Sequence, residues 1–232
     1  MDANQRFALV RQFPLFSGIS PADCTSIVSS AREKSFLRGQ TIYLAGDSIQ
    51  QTLLLTSGCV KVTQLSPNGD EVILRLNGPG EVVGALCSQV CCGSSHCSGA
   101  HALQPSKALV WDAHLFETIS ERFPLLRRNI GRILGERLRE MEERFREVST
   151  ERVAPRLGSQ LIRLQRQIGK QADDGTVEIN LSRADLAQLT GMTLFTVSRL
   201  LCQWEQRGIV LARRETVLIR SPQVLQTMCQ GE

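Results

Sequence analysis

Four of the chain's eight cysteines and two of its three histidines fall within the fifteen residues Cys87–His101. Thiolates bind soft metal ions and iron–sulfur clusters, and Gly93, Ser94 and Ser95 leave the backbone free to wrap a small centre. Cys87, Cys91, Cys92 and Cys97 are the candidate cofactor ligands, with His96 and His101 as further metal ligands. Their C-x3-C-C-x4-C spacing matches no common zinc or ferredoxin pattern. The readings left open are an iron–sulfur cluster answering oxygen, nitric oxide or redox state, a thiophilic metal or metalloid ion, a thiol–disulfide switch, and a structural zinc or an inert loop. No carboxylate stands within the loop, so a hydrolytic metal centre would lack its base. Nor does the chain carry a Gly-rich phosphate loop, His-Glu-x-x-His or Gly-x-Ser-x-Gly, and an enzyme is not expected. Cys59, Cys202 and Cys229 read as small buried hydrophobes or exposed singletons.

A second stretch, Ser182–Gly208, is built to present side chains. Ser182 with Asp185 three residues on has the form of a helix N-cap, Leu186 and Leu189 supply apolar positions, and Gly191 stops the helix. Thr193 caps a second helix in which Leu194, Val197, Leu200, Leu201 and Trp204 recur at helical steps, leaving Thr196, Ser198, Arg199 and Gln203 on the other face. Two short helices around a glycine turn, the second with a polar outer face, make a helix-turn-helix able to enter a DNA major groove. Ile209–Leu211 and Thr216–Ile219 are β-type runs flanking Arg213 and Arg214, a hairpin wing that would lay two cations against phosphates.

The remaining elements must position these two stretches. At 232 residues the chain is long enough for two modest domains, and its net charge of +4 permits nucleic-acid binding without establishing it. Residues 1–30 look helical, with a second helix capped near Ser20. Thr41–Leu44, Thr52–Thr56, Cys59–Val62, Val72–Leu76 and Ala108–Trp111 are short β-type runs separated by glycines, the pattern of an antiparallel sandwich or barrel. From His114 to about Val148 the pattern predicts one long helix. Its apolar seam (Ile130, Leu134, Leu138, Met141, Phe145, Val148) is narrow and its other faces are charged, which points to a partner helix and a homodimer. Another helix is expected from about Arg152 to Gly169. No apolar run approaches the roughly 20 residues needed to span a bilayer, and the first residues open no secretory signal. A cytoplasmic protein with no membrane partner is expected, its cysteines metal ligands or redox thiols rather than disulfides.

Ile179–Ala187 followed by Thr196-Val197-Ser198-Arg199-Leu200-Leu201 closely resembles the winged helix-turn-helix of the Crp/Fnr family of bacterial transcription regulators. The glycine spacing from Gly39 to Gly84 is similar to that family's β-roll. The resemblance implies an α+β chain: a β-roll sensor domain of the cyclic-nucleotide-binding, jelly-roll type over 1–118, a dimerisation helix over 119–149 and a winged helix-turn-helix over 150–232. It implies a homodimer on a palindromic duplex, its recognition helices about 34 Å apart, with RNA polymerase as protein partner. Ser198 and Arg199 match family positions that contact DNA, and the preceding contact position, commonly Glu, is Phe195 here. A Phe cannot accept from a cytosine amino group but can touch a thymine methyl. With Thr193 and Thr196 these form the candidate reading surface, and Arg183, Arg213 and Arg214 are the candidate phosphate contacts.

In the family's cyclic-nucleotide binders a Gly-Glu-Leu segment holds ribose and a downstream Arg holds the cyclic phosphate. Here the first reads Gly84-Ala85-Leu86 and the second falls on His96 or Cys97, so a cyclic nucleotide is disfavoured as effector. Oxygen-sensing members carry their cluster cysteines near the N-terminus, where this chain has only Cys24. The combined reading is a dimeric, sequence-specific DNA-binding regulator sensing through an iron–sulfur cluster in the cysteine-rich loop. The alternatives are the same regulator with a thiophilic metal or thiol switch, and a metal-binding interaction module with a vestigial DNA domain.

Overall fold

The computed structural model describes residues 3–84, 95–172 and 175–229, which divide into two compact units. The first takes residues up to Leu65 together with Leu74–Glu140, and the second takes Ser66–Ile73 together with the chain from Met141. Cys87, Cys91 and Cys92 lie outside the described residues.

In chain order the first unit is built from α1 (Ala3–Val10), α2 (Pro21–Ser29), β1 (Arg32–Phe36), β2 (Thr41–Tyr43), β3 (Gln51–Ser57), β4 (Val60–Leu65), β5 (Glu71–Asn77, in this unit from Leu74 on), β6 (Val82–Val83), β7 (Gly99–Ala102), β8 (Ser106–Asp112) and α3 (Ala113–Arg122). The long α4 (Pro124–Thr150) follows. Two four-stranded sheets run in the orders β1-β8-β3-β6 and β2-β7-β4-β5. Successive side chains on a strand point to opposite faces, yet Leu53, Leu54 and Leu55 on β3 are all buried. The reason is that the first sheet is covered twice. Leu53 and Leu55, with Ala108 and Val110 of β8, fill a core shared with Tyr43, Val60, Val62 and Ala100 of the second sheet. Leu54, with Leu109 and Trp111, packs against Val10, Leu15, Ile27 and Phe116 from the helices. The Trp111 indole fixes that layer by donating to Ile27 O (3.0 Å) and Ser30 Oγ (3.2 Å).

Three expectations change here. The single long helix from His114 is broken at Phe123–Pro124. Phe123 sits at φ −114°, ψ 90°, because a proline disfavours helical backbone in the residue before it. Strands β1 and β7 carry no apolar alternation: β1 is Arg-Glu-Lys-Ser-Phe and β7 is Gly-Ala-His-Ala, and both are held by pairing, β1 to β8 and β7 between β2 and β4. Ile130, expected on the dimer seam, is 6% exposed and packs into the helix-covered core of its own unit, where Leu134 is also half-buried.

The second unit holds α5 (Val153–Ile168), β9 (Lys170–Gln171), β10 (Val177–Ile179), α6 (Arg183–Thr190), α7 (Leu194–Gln206), β11 (Val210–Ala212), β12 (Val217–Ile219) and α8 (Pro222–Cys229). Its sheet order is β11-β12-β10-β9. The C-terminal α8, unforeseen in the sequence, packs on α5.

Candidate nucleic-acid interface and sensor site

The helix pair is specified locally. The Ser182 side chain accepts from Asp185 N, Asp185 accepts from Ser182 N (3.1 Å), and the box starts α6. Gly191 takes φ 64°, a left-handed conformation that glycine adopts without a Cβ penalty, and Thr193 then caps α7 by accepting from Thr196 N. Val197, Leu200, Leu201 and Trp204 turn inward. Leu194, expected with them, is 53% exposed, and Phe195 is 76% exposed. A first-turn residue lies beyond the hydrophobic stripe that α7 buries, so both present apolar surface outward beside exposed Arg199 and half-buried Ser198. The Thr193 and Thr196 hydroxyls face each other at 2.9 Å and serve the cap, which leaves them less free to read a base. Arg183 is half-buried, and its Nε is buried without a hydrogen-bond partner among the described residues. In the wing Arg213 N donates to Thr216 O (2.8 Å), and the Arg213 and Arg214 side chains are exposed at the tip.

In the first unit the cysteine-rich segment leaves β6 at Gly84 and returns at Ser95. Its return is pinned: Ser95 bridges Ser48, His96 N donates to Asp47 O and Gly46 N donates to His96 O, both at 2.8 Å. The His96 ring stacks on Tyr43 with centroids 3.6 Å apart and planes 9° from parallel. Burial of this ring pushes the imidazole below its ordinary range, partly offset by Asp47. The His96 ring is thus packed against Tyr43 at the point where the chain re-enters the β-roll. Tyr43, His96, Lys34, Asp47, Ser48 and Gln51 line a cavity of about 310 Å³. Cys97 is exposed. His101 lies on β7, outside the loop, with Nδ1 3.1 Å from Thr41 Oγ1, so the two histidines have separate partners. Among the described residues no three His, Cys, Asp or Glu side chains converge as a metal ion requires.

Two residues that the sequence did not single out stand in this unit. Arg75 on β5 donates from Nε to Asn77 Oδ1 (3.3 Å), Asn77 Nδ2 donates to Val82 O (3.3 Å), and Arg137 on α4 donates from Nη2 to the same carbonyl. Burial lowers the pKa of both guanidiniums, and that of Arg137 falls to about 10 with Arg75 as a further cause. The signal for them is weak: an Arg between Leu74 and Leu76 on a strand, and one Arg among many on a helix.

Along α4, Leu138 (57%), Met141 (62%), Phe145 (75%) and Val148 (54%) are exposed at helical spacing, whereas Ile130 is spent on its own core.

Residues 155–228 match the Crp-like helix-turn-helix domain and residues 33–123 the cyclic nucleotide-binding domain. The chain is 27% identical over 219 residues to the cyclic AMP receptor protein of Thermus thermophilus, covering 94% of this chain and 97% of that one. It is 25% identical over 191 residues to electron transport regulator A of Shewanella oneidensis, covering 81% and 74%. Among solved structures, FixK2 from Bradyrhizobium japonicum superposes with a TM-score of 0.75 at 23% identity, covering 85% of this chain and 96% of that one, a likeness of fold. Other relatives of the chain carry the name CRP-like cAMP-activated global transcriptional regulator, from Mycobacterium tuberculosis, 25% identical over 207 residues and covering 88% of this chain and 91% of that one; these are names of regulators rather than of enzymes. With a cyclic-nucleotide-binding-type β-roll ahead of a Crp-like helix-turn-helix, the chain belongs to the Crp/Fnr family of DNA-binding transcription regulators.

Proposed function

We propose that this chain is a cytoplasmic, homodimeric regulator that reads a palindromic operator through α7 and senses through a redox- or gas-responsive iron–sulfur cluster held by Cys87, Cys91, Cys92 and Cys97. The observation that carries the DNA half is the capped α6–Gly191–α7 pair, which frees Phe195, Ser198 and Arg199 outward with Arg213 and Arg214 on the wing. Arg199 supplies a planar fork for two acceptors on a base edge or phosphate. Arg183, Arg213 and Arg214 position the duplex by its phosphates. Leu138, Met141 and Phe145 are the proposed dimer contacts, and RNA polymerase the proposed protein partner.

The sensing half is supported by the four thiols within eleven residues, by the exposure of Cys97, and by the missing carboxylate at Ala85 and missing guanidinium at His96 or Cys97. A bound cluster would supply a centre whose charge and ligation respond to oxygen, nitric oxide or an electron donor. The residues around it transmit the response. The loop leaves directly from β6, and Arg137 ties Val82 O of β6 to α4, so a displaced loop pulls on the long helix. The signal shifts DNA occupancy only if the loop's ligand favours one dimer arrangement over the other. A thiophilic ion or a disulfide would use the same sulfurs.

The test has two parts. Selection from random-sequence duplexes should enrich a palindrome, and failure to do so removes the regulator reading for a binding module. Protein purified without air should carry iron and sulfide with a visible chromophore. The variant with all four loop cysteines changed to Ser should bind operator yet ignore the signal. Colourless wild-type protein without iron, or a variant that still responds, would overturn the cluster.

A further inference from the structure

Base edges are read by side chains that donate or accept hydrogen bonds and by apolar side chains that meet a pyrimidine methyl group. The first turn of α7 offers the second kind. Leu194 is 53% exposed and Phe195 76%, while Val197 beside them is buried. The Thr193 and Thr196 hydroxyls stand 2.9 Å apart, and Thr193 Oγ1 also accepts from Thr196 N at 3.1 Å. The two hydroxyls of this turn therefore serve each other and the cap. Polarity returns one turn later. Ser198 stands four residues after Leu194 and Arg199 four after Phe195, so each apolar side chain shares a helix face with a polar one.

The pair is held in place before anything binds. Gly191 in its left-handed conformation ends α6, Thr193 starts α7, and Leu200, Leu201 and Trp204 anchor the helix in its own core. Apolar surface fixed in water gains by meeting a partner, with little left to order on binding. The surrounding charge says which partner. Arg199 is exposed on the same helix, and Arg213 and Arg214 are exposed at the wing tip of the same unit. Cations around an apolar pair suit a polyanion that carries methyl groups, and duplex DNA presents the thymine methyl in its major groove. Neither side chain can hydrogen-bond to thymine O4 or to the cytosine amino group. What they can sense is the methyl group at C5, and cytosine acquires the same group when it is methylated.

We infer that Leu194 and Phe195 jointly read two neighbouring 5-methylpyrimidines and accept 5-methylcytosine in place of thymine, so that cytosine methylation of a duplex tightens its binding. The inference rests on the proposed reading of DNA by α7 and adds a specificity to it. Leu194 becomes a specificity-determining residue beside Phe195. Each methyl group buried against such a side chain is worth about fourfold in affinity. The methylation state of the duplex is then an input read at the DNA itself, separate from any signal taken by the sensor unit.

The experiment starts from the operator selected out of random-sequence duplexes. Each pyrimidine of a half-site is made in turn as thymine, cytosine and 5-methylcytosine, paired with its complement, and titrated by fluorescence anisotropy at one fixed salt concentration. At two neighbouring base pairs 5-methylcytosine should bind about fourfold tighter than cytosine. Leu194→Ala should abolish the methyl gain at one of these pairs and Phe195→Ala at the other. Both side chains are exposed, so both variants should unfold at the wild-type temperature. Arg199→Gln should weaken every duplex yet leave the ratio of methylated to unmethylated affinity unchanged, which separates the methyl contact from a general disturbance of α7. A protein that selects a palindrome but shows no methyl gain at any pair would overturn the methyl reader and leave the DNA-binding reading standing. A methyl gain that survives in both alanine variants would overturn it as well, by placing the contact on another side chain. A chain that selects no duplex overturns both readings.

Discussion

Arg163 grips the carboxylate of Glu147 at both oxygens, Nη1 on Oε1 and Nη2 on Oε2 at 2.7 Å, and Nη2 also reaches Gln160 Oε1 at 3.0 Å. Glu147 is only 3% exposed, so the last turns of α4 are locked to α5 by a pair shielded on its acidic side. The two partners are not equivalent under mutation. Arg163→Met strands a carboxylate out of water, whereas Glu147→Gln keeps hydrogen-bond acceptance and releases an arginine that already reaches solvent. Urea unfolding should show a loss of about 3 kcal/mol for Arg163→Met and about 1 kcal/mol for Glu147→Gln. The double variant should fall well short of the sum. Equal losses, or strict additivity, would show that the pair is not coupled as the geometry requires.

The apolar edge of α7 sets the second prediction. Leu194 and Phe195 are the large exposed hydrophobics of that helix, and they sit in its first turn, the part that meets base edges in this kind of reader. Replacing operator thymines by deoxyuridine, which removes only the 5-methyl group, should weaken wild-type binding by about 1 kcal/mol at the contacted position. Phe195→Ala should be indifferent to that replacement, and Phe195→Glu should move the preference toward cytosine, whose amino group a carboxylate accepts. Methyl sensitivity that persists in Phe195→Ala would assign the contact elsewhere.

How much of this could be read from the chain follows from how local each determinant is. The capping box at Ser182 and Asp185, the left-handed Gly191 and the Thr193 cap are each written in a few adjacent residues, and all three stand in the structure. The β-roll was legible through its glycine turns and apolar runs. Strands β1 and β7 were not, because Arg-Glu-Lys-Ser and Gly-Ala-His-Ala become strands through partners supplied by β2, β4 and β8. Ile130 fits a helical seam by spacing alone, and only the helices packed beneath it reveal that it belongs to the core. Arg75 and Arg137 are 62 positions apart in the chain. Nothing in the sequence brings Arg137 to Val82 O and Arg75 to the Asn77 that shares that carbonyl.

The outward row on α4 makes the third prediction. Leu138, Met141 and Phe145 expose more than half of their area each, a poor use of apolar side chains unless a partner covers them. Phe145→Glu should convert a dimer to a monomer in light scattering and weaken operator binding by more than tenfold, because two half-sites can then no longer be gripped as one unit. Ile130→Val, beneath the same helix, should lower stability by about 1 kcal/mol and leave the oligomeric state alone. A Phe145→Glu protein that remains dimeric would move the interface to another face.

The stacked imidazole supplies a pH dependence with a definite sign. Burial holds His96 below its ordinary value, so the folded protein takes up its proton less readily than the unfolded chain does. Between the two values the unfolded state binds more protons, and stability there rises with pH. The contribution is fully present above the unfolded value of about 6.5 and is lost as the pH falls through that point toward the folded value. Urea midpoints should therefore drop on acidification below roughly pH 6.5. His96→Phe keeps a ring against Tyr43 and cannot take up a proton, so its midpoint should fall less steeply over the same range. Subtracting the two curves removes what Lys34, Asp47 and the remaining carboxylates contribute, since both proteins share them. Parallel curves would mean that the imidazole is as free to charge in the folded protein as in the unfolded one, and the tight stack on Tyr43 would then have no part in holding the end of the loop.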